Sequence, residues 1–134
     1  SRLGAKIRLI VPPTLMVKNF EDWALQKWNI KIYQNLEDGI KNVDAVMMLR
    51  IQQERIGAAL FPSLREYTAR WGLTSERAAR LKPDTLIMHP GPINRGVEID
   101  SQLADDITRS IILDQVEIGV AVRQAVLELL AGEK

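Results

Sequence analysis

Two short stretches concentrate the residues able to do chemistry in this 134-residue sequence. The first is RIQQER, residues 50–55, which follows the apolar run VMML. Held extended, it projects Arg50, Gln52 and Glu54 to one side, because side chains alternate along a strand. A guanidinium offers a planar fork that fits a carboxylate, an amide can donate beside it, and Glu54 can hold Arg50 through an ion pair. The same residues also suit a solvated polar loop, which pattern alone favours. The second stretch is MHPGPINRGVEI, residues 88–99, with the sequence's only histidine. Pro90 and Pro92 lack N–H groups and push His89 and Gly91 toward extended geometry, so a sheet ladder cannot continue through them. Carbonyl oxygens are left for a ligand that carries N–H donors, and Gly91 allows a close approach to the backbone. The other reading is a rigid turn, with His89 a hydrogen-bonded structural residue. If the turn aims its carbonyls into a cleft, Gly91–Pro92 is expected to be cis, which an X-Pro bond permits at little cost.

Apolar strands alternating with helical patterns must position these stretches. Strand candidates are 5–11, 29–34, 44–50 and 84–89, the third apolar on both faces. A helix is expected over 19–28 with Asn19 as its N-cap. A second opens at Asn35, with an acid three residues on. Residues 62–81 read as two short helices, broken at Gly72 and restarted by Thr74. The alternation predicts an α/β fold, a parallel sheet flanked by helices. In such sheets ligands sit beyond the carboxyl ends of the strands, where both stretches fall.

A long helix is expected over 113–130. Stepping at about 100° per residue puts Ile118, Val122, Ala125 and Leu129 on one stripe. Leu113, Val116, Val120 and Leu127 lie on another, nearly opposite. One stripe suffices for a helix lying on one sheet. Two predict a helix held between two bodies, one of them this domain's own sheet. The opening SRLGAKIRLIV reads as a helix tail, a stop at Gly4 and a strand, as in a piece of something longer.

Bulk composition narrows the function. Apolar residues make up 46% and charged residues 26%, a globular balance for one domain with a real core. Eighteen basic against seventeen acidic residues argue against a general nucleic-acid or membrane-surface role. No cysteine and a single histidine leave little from which to build a metal site. No apolar run approaches the roughly 18 residues of a membrane span, and a cytoplasmic setting is expected.

Together, VMMLRIQQER and MHPGPINRGVEI resemble aspartate carbamoyltransferases, specifically the aspartate-binding half of the catalytic chain. The resemblance extends through LGAKIRLIVPPTL at the start and QVEIGVAVRQAVLELL at the end. The sister ornithine family has a cysteine where this sequence has Pro90, which favours aspartate. The resemblance implies a Rossmann-like domain over 1–134 lacking its first strand. It implies transfer of a carbamoyl group from carbamoyl phosphate to L-aspartate, giving N-carbamoyl-L-aspartate for pyrimidine biosynthesis, with no metal or other cofactor. It places Arg50 and Gln52 on the aspartate carboxylates, and the backbone carbonyls of Gly91 and Pro92 on the carbamoyl amino group. Glu54 and Arg55 orient the loop, while His89, Arg95 and Glu98 are supporting.

The family's phosphate-binding Ser-Thr-Arg-Thr signature, its catalytic histidine, its carbonyl-polarising arginine and its His-Ser-Arg motif are absent from these residues. A separate N-terminal half that grips carbamoyl phosphate is therefore expected, with the 113–134 helix reaching back to it. The resemblance further implies a homotrimer of full-length chains, and the longer HPGPINRGVEI form implies association with dihydroorotase. A carbamoyltransferase with another amino-acid acceptor, or a non-catalytic binding or assembly module, are the alternatives.

Overall fold

The computed structural model describes residues 4–52 and 63–132. Four short strands alternate with helices. They are β1 (Arg8–Ile10), α1 (Phe20–Trp28), β2 (Lys31–Tyr33), α2 (Leu36–Gly39), β3 (Ala45–Met47), α3 (Leu64–Trp71), α4 (Ser75–Ala78), β4 (Leu86–Met88), α5 (Ser101–Ala104) and α6 (Ile112–Ala131). The expected alternation is present, and the strands are shorter than the apolar runs that announce them.

The strands form two parallel ladders rather than one continuous sheet. β1 pairs with β2, Leu9 opposite Ile32, and β3 pairs with β4, Val46 opposite Ile87. Backbone groups alternate sides along a strand. Ile7 and Val11 bond toward β2, through Lys31 N–H to Ile7 O at 3.3 Å and Val11 N–H to Tyr33 O at 3.0 Å. Arg8 and Ile10 therefore turn their backbone groups the other way. On β3, Asp44 and Met48 bond toward β4, so Ala45 and Met47 turn away from it. Between those two outward edges lies a cleft of about 720 Å³, lined by Leu9, Ile10, Gly39, Ile40, Ala45 and Met47 among others.

Local chemistry explains most element ends. Asn35, Ser63 and Thr74 each accept from the backbone N–H three residues on, capping α2, α3 and α4. Asn19 does not cap α1. Its φ of 64° is left-handed and its side chain makes no cap bond, because a turn from Val17 to Phe20 enters the helix instead. Asn29, read as the start of a strand, ends α1 in the left-handed conformation that asparagine tolerates. Gly72 stops α3 through close approach: a Cβ there would sit 2.7 Å from Val97 O and 2.8 Å from Thr68 O. Arg77 secures that helix end by donating to the carbonyls of Thr68, Ala69 and Gly72 while pairing with Glu37 at 2.8 Å.

The core gathers Leu36, Ile40, Val46, Met48, Leu73, Ile87, Ile99 and Leu103. β3 does not bury both faces as its sequence suggests: Val46 and Met48 are buried, while Met47 and Leu49 are 51% and 62% exposed. α6 departs further. Ile112 is buried, but both apolar stripes lie open, with Leu113 82%, Ile118 62%, Leu127 66% and Leu129 75% exposed. The expectation that one stripe rests on this domain's own sheet is therefore corrected. Only the start of α6 meets β4, because the segment before it, 109–111, pairs alongside Ile87 and directs the helix outward.

Candidate functional site

β3 and β4 run parallel, so their carboxyl ends emerge side by side. Past β3 come Arg50, half-buried, and Gln52, exposed. Glu54 and Arg55 lie outside the described residues. Past β4 comes the proline turn. Gly91–Pro92 is cis, as expected, and Gly91 sits at φ +68°, a conformation that favours glycine. Among the described residues, no N–H donates to the carbonyls of Gly91 or Pro92.

A buried polar cluster holds this turn. His89 and Glu98 are both wholly shielded from solvent. The backbone N–H of His89 donates to Gln115 Oε1 on the first turns of α6 at 3.0 Å. The backbone N–H of Gly91 donates to His89 Nδ1 at 2.9 Å. With Nδ1 accepting, a neutral imidazole carries its proton on Nε2, which lies 3.4 Å from Glu98 Oε1. Burial pushes the imidazole below its ordinary value, while the Glu98 carboxylate pulls the other way. His89 Nε2 and Glu98 Oε2 find no hydrogen-bond partner among the described residues.

Glu98 Oε1 also accepts from the backbone N–H of Asn94 at 2.5 Å. The side-chain amide of Asn94 then donates to the carbonyl of Ile51 at 2.9 Å, between Arg50 and Gln52. Tyr67 of α3 is buried, its phenol pushed up to about 12 by burial first and by the Glu98 charge second. Arg95 faces elsewhere, forming a two-pronged ion pair with Asp105 at 2.8 Å on each arm, just past α5.

The two motifs read from sequence are thus brought together, and His89 and Glu98 lie behind the turn rather than on its open side. Three residues of the cluster escaped the sequence reading. They are Asn94, Gln115 and Tyr67, none of which stands out by type or spacing in the motifs read above. Outside those motifs, only Gln115 carried a signal, an uncharged polar residue in the first turn of a largely apolar helix. Among the described residues, no group of three or more histidine, cysteine or acidic side chains is placed to hold a metal ion.

Comparison with known proteins places the fold. The family model described as Aspartate/ornithine carbamoyltransferase, Asp/Orn binding domain, matches residues 1–130. The aspartate carbamoyltransferase catalytic subunit of Paracoccus denitrificans (strain Pd 1222) is 52% identical over 130 residues, covering 97% of this chain and 39% of that protein. That of Jannaschia sp. (strain CCS1) is 54% identical, covering 97% and 40%. Among solved structures, ornithine carbamoyltransferase from Pyrococcus furiosus aligns with a TM-score of 0.82 at 22% identity, covering 99% of this chain and 44% of that one. The catalytic subunit of M. jannaschii aspartate transcarbamoylase aligns at 0.68 and 28% identity, covering 96% and 40%. The chain spans about two-fifths of the length of these curated relatives. With parallel strands flanked by helices, the two motifs side by side and nearly every residue matched, this chain belongs to the aspartate/ornithine carbamoyltransferase family, as its Asp/Orn-binding domain.

Proposed function

We propose that this chain supplies the amino-acid half of an aspartate carbamoyltransferase acting in pyrimidine biosynthesis. The observation that carries the reading is the juxtaposition of Arg50 and Gln52 with the Gly91–Pro92 turn, through Asn94 and the Ile51 carbonyl. Arg50 and Gln52 grip the carboxylates of L-aspartate. The Gly91 and Pro92 carbonyls accept from the carbamoyl NH2 of carbamoyl phosphate, orienting its carbon toward the amino group. The amino nitrogen attacks that carbon, a tetrahedral intermediate forms, and the C–O bond to phosphate breaks as the nitrogen loses a proton. Holding two anions in one geometry supplies much of the rate. His89 is not the base, since it is buried and its Nδ1 is occupied.

The phosphate grip belongs to a separate N-terminal half. Two features support that division. The open stripes of α6 need a cover, and each large side chain left wet forgoes roughly 1.5–3 kcal/mol. The cleft between β1 and β3 faces outward-turned backbone groups on both sides and suits the domain's first strand, placed parallel between them. A homotrimer of full-length chains, association with dihydroorotase and a cytoplasmic setting complete the reading, supported by the family resemblance alone. No helix among the described residues is long and apolar enough to cross a membrane.

The test is an acceptor assay on the full-length enzyme, with carbamoyl phosphate and either L-aspartate or L-ornithine. N-carbamoyl-L-aspartate is the expected product, and residues 1–134 alone are expected to make none. Efficient transfer to ornithine, or turnover by the isolated chain, overturns the proposal.

A further inference from the structure

His89 and Glu98 are wholly buried, yet neither is placed to touch a substrate. His89 spends Nδ1 on the Gly91 N–H, and Glu98 spends Oε1 on the Asn94 N–H. A carboxylate taken out of water is costly to keep, so its partners should be ones the fold needs. Among the described residues, the partners lie in the 89–94 turn, and the turn reaches one other strand end. That reach is a single side-chain bond, from Asn94 Nδ2 to the Ile51 carbonyl.

We infer that Asn94 is a positioning residue for the aspartate grip, a brace that fixes the Arg50–Gln52 segment relative to the Gly91–Pro92 turn, with Glu98 holding the brace from behind. The geometry supports this assignment from both ends. Ile51 is itself buried at 6% exposure, so its carbonyl sits where the core begins, with Arg50 and Gln52 on either side of it. Asn94 is bonded through both its backbone and its side chain, which leaves the amide little freedom to reorient. At the other end, the turn is anchored to α6 by the His89 N–H on Gln115. Hydrogen bonds therefore tie the turn to α6 at His89 and to the segment after β3 at Asn94. Arg50 and Gln52 flank the restrained Ile51 in sequence, and the spacing between carboxylate grip and carbamoyl acceptors is set by Asn94. The role deepens the proposed function and rests on it for its substrate.

The test uses the full-length enzyme carrying Asn94→Ala, Glu98→Ala or Glu98→Gln. Losing one neutral hydrogen bond that orders a binding segment should raise KM for L-aspartate about tenfold, with KM for carbamoyl phosphate changed by less than about twofold. Glu98→Ala should follow Asn94→Ala. Glu98→Gln should recover aspartate affinity, because its amide oxygen can still accept the Asn94 N–H. Hydrogen exchange supplies a readout independent of turnover: Asn94→Ala should speed exchange at residues 50–52 and leave β1 and β2 unchanged. An unchanged aspartate KM with unchanged exchange in Asn94→Ala overturns the inference, as does a Glu98→Gln variant as impaired as Glu98→Ala. Should Glu98→Ala fail to fold, the half-buried Asn94 variant still decides. If the unmodified enzyme ignores aspartate, the proposed function falls, and the exchange result alone judges the brace.

Discussion

Beyond β4, a histidine and a glutamate are sealed from water, and a few residues of turn supply the hydrogen bonds that hold them. Some fifteen to thirty residues later, on α6, leucines and valines stand in the open along most of the helix. Polar groups are thus inside in one region and apolar groups outside in the other, each against the usual preference. The difference lies in what completes each region. The cluster draws its partners from the segment after β3, from α6 and from its own loop, so its geometry is set within this chain. Among the described residues, α6 meets the rest of the chain at its base, where Ile112 is buried and Gln115 accepts from His89. A domain can carry a finished site wall and an unfinished packing surface together when another body shares the second.

That contrast can be broken by pairing one variant in each region. Ile87→Ala, at a wholly buried position on β4, should cost about 2–5 kcal/mol in the unfolding free energy of this chain. Leu129→Ala, at 75% exposure on α6, should change it by less than about 0.5 kcal/mol. Denaturant titration of both variants measures the gap. Comparable costs would mean that α6 packs on its own domain after all.

A smaller effect follows from His89. Its folded-state value lies below the ordinary 6.5, with burial as the main cause. The unfolded chain therefore binds the proton first as pH falls. The neutral, buried imidazole contributes its stability fully above about 6.5, and that contribution is lost as pH drops from there toward the folded value. Unfolding measured at pH 7.5 and at pH 5.5 should show lower stability at the acid end, with the slope reduced in His89→Gln. A slope unaffected by that substitution assigns the loss to other groups.

Much of this was legible in the sequence because it rests on local rules. Asn35 and Thr74 announce caps through spacing alone, and Pro90 and Pro92 announce a strand end because they remove donors. The two motifs could be placed at neighbouring strand ends because parallel sheets put ligand sites there. Asn94 could not be singled out, since its partner, the Ile51 carbonyl, lies 43 residues away and a backbone carbonyl has no sequence signature. Asn19 misled for a related reason: its type suits a cap, but the turn before it set a left-handed φ. The apolar residues of β3 and α6 mark surfaces that get buried, without saying by which body. For the choice of acceptor, sequence relatives near 52% identity carry more weight than structural neighbours at 22%, whose likeness speaks to fold.

The central claim is that the end of β3 grips the carboxylates of aspartate. The most direct measurement is kcat/KM for L-aspartate in the full-length enzyme with Arg50→Ala. Removing one partner of a charge-assisted pair should lower it by an amount equivalent to about 2–5 kcal/mol. A variant that keeps near-normal turnover at low aspartate would contradict the assignment of Arg50, and with it the site described at the two strand ends.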